Sequence, residues 1–82
     1  MSTETRKICL ELLKAGHPVP RPIEWLVHHA RHMGEDVTEI SVKADLAYLI
    51  SKGLVSKEYT AVNQEKFTIT AAGIDVIEQG NL

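Results

Sequence analysis

The residues whose type and spacing come nearest to chemistry are histidines. His28, His29 and His32 fall within "HHARH", with His17 upstream. On a helix His28 and His32 stand one turn apart on the same face, a spacing that can offer two imidazoles to Zn²⁺ or Ni²⁺. No third ligand accompanies them. Cys9 belongs to the apolar side of another helical stretch, and no further cysteine or Asp-His pair stands at ligand spacing. The expectation is therefore no metal and no cofactor, with His28 and His32 the candidates should a metal bind. Both are expected in solvent, with His29 bordering the core beside Trp25 and a modest response to pH near neutrality. Catalytic patterns are equally sparse: there is no Gly-rich phosphate loop, nucleophile elbow or positioned pair of carboxylates. Cys9 reads as a small buried hydrophobe, and a chain of 82 residues has little room to enclose a substrate. An enzyme is not expected. Trp25 and Met33, at helical spacing, read as core and not as a pocket lining.

Elements that position these side chains must come from one domain, residues 1–82, because a chain this short buries only about 60% of its unfolded surface and needs most of its apolar residues for one core. Composition is that of a globular protein, with 44% hydrophobic and 24% charged residues and a net charge of −2. No apolar run approaches a membrane span. The start, Met-Ser-Thr-Glu-Thr-Arg-Lys, has neither an apolar stretch nor a small-residue cleavage site, so no secretory signal is expected. A single cysteine fits a reducing, cytoplasmic setting.

Glycines and prolines divide the chain. Ile8, Cys9, Leu12, Leu13 and Ala15 predict a first helix at about 5–15, with Gly16 as a left-handed cap before Pro18 and Pro20. Pro22 suits the first position of a second helix at 22–33, whose inner face is Ile23, Leu26, Ala30 and Met33 and whose end is Gly34. Asp36 or Thr38 can cap a third helix at 38–52, with Asp36 and Glu39 at capping-box spacing. Val42, Leu46, Leu49 and Ile50 form its buried stripe, and Gly53 ends it with Leu54 folded back on Leu49. Beyond Gly53 the period becomes that of strands. Val55, Lys57 and Tyr59, then Phe67 and Ile69, alternate with polar residues around the turn Thr60 to Glu65, predicting a hairpin at 54–69 in which Tyr59 and Phe67 brace against the third helix. Thr70 caps a last helix at 70–79, with Gly73 allowing close backbone approach.

Helix, helix, helix, hairpin, helix is the order of a winged helix-turn-helix, an α+β fold, mostly α, with a three-helix core, a two-stranded β-hairpin wing and a short C-terminal helix. The stretches "DLAYLISKGLV" and "FTITAAGIDVIE" resemble the small bacterial winged helix-turn-helix regulators, including the arsenical-resistance-repressor-like group, in which an Asp-Leu-x-x-Leu helix ends in Lys-Gly-Leu and a Thr-x-x-Gly helix follows the wing. The resemblance covers roughly residues 5 to 79. The small size also resembles winged-helix proteins encoded by transposable prophages.

What the resemblance implies is double-stranded DNA as partner and transcription regulation as role, with the third helix in a major groove and the wing on backbone or minor groove. On a helical wheel the face opposite the core carries Ile40, Ala44, Ala47 and Ser51, flanked by Ser41 and Tyr48 on one side and Lys43 on the other. Thr38 at the helix start, Arg21 before the second helix, and Lys57, Asn63, Gln64 and Lys66 in the wing complete the expected DNA-binding set. Arg, Lys, Asn and Gln are the usual readers of base edges, and here an isoleucine and two alanines stand in their place. Such a face can instead dock a protein partner or meet thymine methyls. Between residues 38 and 66, Lys43, Lys52, Lys57 and Lys66 are balanced by Glu39, Asp45, Glu58 and Glu65, which read as solvated surface charges. Arg21, Lys43 and the lysines at the base of the wing can still form a local basic rim. The first helix is apolar over more than half its circumference. That leaves two alternatives: a homodimer through Ile8, Leu10, Leu13, Val76 and Leu82, or a central helix buried on most sides.

Overall fold

The computed structural model describes residues 3–80, so Leu82 lies outside the described residues. The chain runs α1 (Thr3–Gly16), α2 (Ile23–His32), α3 (Glu39–Ser51), β1 (Val55–Tyr59), β2 (Glu65–Ile69) and α4 (Ala71–Gln79), a winged helix within a residue or two of each expected boundary. The core joins Leu10 and Leu13 of α1 to Leu26 and Ala30 of α2, Val42, Leu46 and Leu49 of α3, and Val55, Phe67 and Ile69 of the hairpin. Each large side chain so buried contributes about 2 kcal/mol of transfer free energy.

α1 packs against α2, α3, α4 and β2. That central position accounts for its wide apolar surface and corrects one expectation. Ile8, Leu10 and Leu13 are interior residues of the chain's own core, Leu10 with no exposed surface at all, and cannot form a contact between copies.

Gly16 is also different from the expectation. It lies within α1 and is not among the left-handed glycines; a Cβ there would sit 2.9 Å from Arg21 Nε and 3.4 Å from the Trp25 ring. Its role is to admit those side chains. Met33 falls in the turn closing α2, not on its inner face, and is half exposed. α3 is capped by Thr38 with Ser41 as the box partner, in place of Asp36 with Glu39: the Thr38 hydroxyl accepts from the Ser41 N–H at 3.1 Å, and Ser41 Oγ accepts from the Thr38 N–H at 2.9 Å. At its other end the Gly53 N–H donates to Ile50 and the Leu54 N–H to Leu49, a Schellman closure as expected.

β1 and β2 pair antiparallel from Val55↔Ile69 to Tyr59↔Glu65. A third strand is reduced to one residue, Arg21, whose N–H donates to the Phe67 carbonyl at 2.9 Å and whose carbonyl accepts the Phe67 N–H at 2.8 Å. Phe67 is buried, whereas Tyr59 is 60% exposed and does not brace the wing, because β1 buries Val55 alone and then extends past the helices.

Thr70 clasps the base of the hairpin. Its N–H donates to the Leu54 carbonyl at 3.0 Å, its hydroxyl donates to the Gly53 carbonyl at 2.7 Å, and its Oγ1 accepts the Gly73 N–H at 3.0 Å. Gly73 must be glycine because a Cβ would collide with the Leu54 carbonyl oxygen and stand 2.7 Å from Ile69 Cγ1.

Candidate nucleic-acid interface

α3 turns Val42, Leu46 and Leu49 inward, which leaves Ile40, Ala44, Ala47 and Ser51 along its outer face; all four are exposed, Ile40 to 82%. Beside this stripe, between α3 and the wing, runs an open groove of about 250 Å³. Leu46, Ala47, Ile50 and Phe67 give it apolar walls, and Lys43, Lys57 and Glu65 stand along it. Lys57 Nζ lies 3.1 Å from Glu65 Oε2. That hydrogen bond, with help from Tyr59, raises the Lys57 pKa, so the side chain remains cationic, though partly neutralised by its neighbour. Lys43 and Lys52 are exposed and Lys66 half-buried opposite Glu58.

The wing tip is held by backbone bonds from the Thr60 N–H to Gln64 at 2.9 Å and from the Asn63 N–H to Thr60 at 2.9 Å. Asn63 adopts φ 60°, a conformation asparagine tolerates better than most residues. Val62 projects from the tip, 81% exposed, beside exposed Asn63 and Gln64.

Four expected contact residues are engaged within the chain. The Arg21 guanidinium lies 4.7 Å from the centre of the Trp25 ring and is half-buried. Thr38 and Ser41 bond to one another at the start of α3. Tyr48 is covered by the Arg6 guanidinium at 3.7 Å, with Lys52 Nζ at 5.6 Å.

Asp45 corrects the reading of the charges. It is not a surface anion but 1% exposed, between α3 and α1, with Arg6 Nε 3.6 Å from its Oδ1 and neither atom hydrogen-bonded. The sequence held a signal for this: at 100° per residue Asp45 falls about 40° from Leu49, inside the buried stripe. Its withdrawal leaves Lys43, Lys52, Lys57 and Lys66 facing three carboxylates rather than four over residues 38–66. Cys9 is buried nearby, and burial, reinforced by the Asp45 charge, pushes its thiol from 9.0 up to about 12.

His28 and His32 stack on the exposed side of α2 with ring centres 6.2 Å apart, while His29 packs on Trp25 at 4.4 Å. Among the described residues no three histidine, cysteine or acidic side chains are grouped to hold a metal ion. No helix of the described residues is long and apolar enough to cross a membrane.

No protein-family model matches the sequence, and no curated protein is similar to it. Solved structures are similar in fold. A MarR-family transcriptional regulator from Silicibacter pomeroyi superposes with a TM-score of 0.80 at 23% identity over 94% of this chain and 48% of its own. A PadR-family transcription regulator from Clostridium difficile R20291 gives 0.73 at 17% identity over 89% and 81%. The transcriptional regulator BldR from Sulfolobus solfataricus gives 0.67 at 26% identity over 90% and 51%. The chain thus spans about half the length of the first of these.

Proposed function

We propose that this chain is a DNA-binding transcriptional regulator that sets α3 into the major groove of duplex DNA and lays the wing along the adjoining backbone. The observation that carries the proposal is the outer face of α3, exposed from Ile40 to Ser51 and standing beside Lys43 and the wing residue Lys57 on a scaffold similar in fold to that of known regulators. Lys43, Lys52, Lys57 and Lys66 supply the phosphate contacts, and Asn63 and Gln64 at the wing tip reach toward the minor groove. Arg21, resting on Trp25, stands behind this set just before α2. The Lys-Gly-Leu and Thr-x-x-Gly motifs support a place near the arsenical-resistance-repressor-like regulators of bacteria or their phages, acting in the cytoplasm.

Titrating labelled duplex DNA with the chain at several salt concentrations, read by fluorescence anisotropy, tests the proposal. Three or four lysine contacts predict a slope of log affinity on log salt of about −3. Exchanging Lys43 and Lys66 for glutamate should abolish binding. The same apolar face favours a second reading, a protein-docking module, in which these exchanges leave partner capture intact and DNA is not bound even at low salt.

We also propose that the chain works as a homodimer. With the α1 leucines inside the core, the contact would use α4 and the edge of α1, where Val76 and Ile77 are half-buried beside Lys7.

A further inference from the structure

Sequence choice by α3 has to be made with almost no hydrogen-bonding side chains. Ile40, Ala44 and Ala47, spaced by four and then three residues, form one exposed line on α3, and none can donate to or accept from a base edge. The hydroxyls beside them are engaged: Thr38 and Ser41 bond each other, and the Ser51 hydroxyl donates to the Tyr48 carbonyl at 2.6 Å. Tyr48 lies under Arg6. Lys43, at the edge of the line and along the wing groove, is placed for a phosphate. Of the features a base pair displays in the major groove, the one that an aliphatic surface recognises is the C5-methyl group of thymine.

Resting on the DNA-binding reading above, we infer that α3 selects its site by pyrimidine C5-methyl groups, with Ile40, Ala44 and Ala47 as the specificity-determining residues and duplex DNA rich in A·T steps as the ligand. The line from Ile40 to Ala47 is about 10 Å long, or roughly three base steps. Two alanines allow the helix to sit deep in the groove, and Ile40, with 82% of its surface in water, gains apolar cover when a methyl group meets it. Each methyl so covered strengthens binding about four-fold.

The test compares four duplexes of equal length by fluorescence anisotropy with the full chain: alternating A·T, the same with deoxyuridine in place of thymine, alternating G·C, and the same with 5-methylcytosine. The thymine duplex should bind about ten-fold tighter than the deoxyuridine one. The methylated G·C duplex should bind tighter than its parent. Ile40→Ala should bring both ratios towards one with unchanged thermal stability, since the side chain is almost wholly exposed. Equal affinity for thymine and deoxyuridine duplexes, with normal salt dependence, overturns the inference and leaves DNA binding standing. A thymine preference that Ile40→Ala does not reduce overturns it as well, because duplex shape would then be the selector. Failure to bind any of the four at low salt overturns the DNA-binding reading itself.

Discussion

Arg6 and Asp45 make an unequal pair. The arginine keeps about a fifth of its side chain in water, whereas Asp45 keeps 1%, so removing one partner is not equivalent to removing the other. Arg6→Met strands a buried carboxylate and should cost about 3–5 kcal/mol. Asp45→Leu leaves a cation free to turn outward and should cost about 2 kcal/mol or less; urea denaturation of the two variants measures the difference. Cys9 gives a second prediction at this scale. A thiol whose folded pKa stands above its unfolded value favours the native state fully below pH 9.0, and that advantage is lost as pH rises from 9.0 towards about 12. By pH 10.5 the loss should reach about 2 kcal/mol. Cys9→Ala, less stable at pH 8 for want of packing, should lack this alkaline component when stabilities at the two pH values are compared.

At the scale of elements, the Thr70 clasp joins the two stretches Lys-Gly-Leu and Thr-x-x-Gly in space. Lys-Gly-Leu ends α3 with the Gly53 and Leu54 carbonyls facing Thr70, and Thr-x-x-Gly starts α4 with a hydroxyl that donates to the first, an N–H that donates to the second, and a side-chain-free Gly73 that leaves room for it. Thr70→Ala should cost about 1–2 kcal/mol, with Thr70→Ser restoring most of it, and Gly73→Ala should cost about 2–3 kcal/mol through the clash with Leu54; thermal melts read both. Helix and strand order was legible because glycine, proline and the change of period mark each boundary. The one-residue strand at Arg21 was not, since a single backbone pair with Phe67 leaves no periodic trace. Tyr59 misled because strand alternation says which face a residue shares, not how far the core extends beneath it. Asp45 was legible by angle, although its type suggested the surface.

For the whole molecule, the expected two-fold partner must use a surface that the monomer leaves open. A mass near twice 9.1 kDa in solution that falls to the monomer value in Val76→Glu would support the α4 contact; a monomer at every concentration would end it. The site's charges belong to this scale as well. Composition gives a net −2, yet burial removes Asp45 from the exposed surface of α3, where Lys43 stands, a redistribution no sum over residues contains. The hairpin is fastened at its base twice, by Thr70 to the end of α3 and by the Arg21 backbone to Phe67. Since both fastenings lie below the tip, residues 60–64 form an exchangeable cassette: doubling the length of such a loop adds only about 0.6 kcal/mol of closure entropy, so tips of other lengths can be grafted there while the helices keep their arrangement.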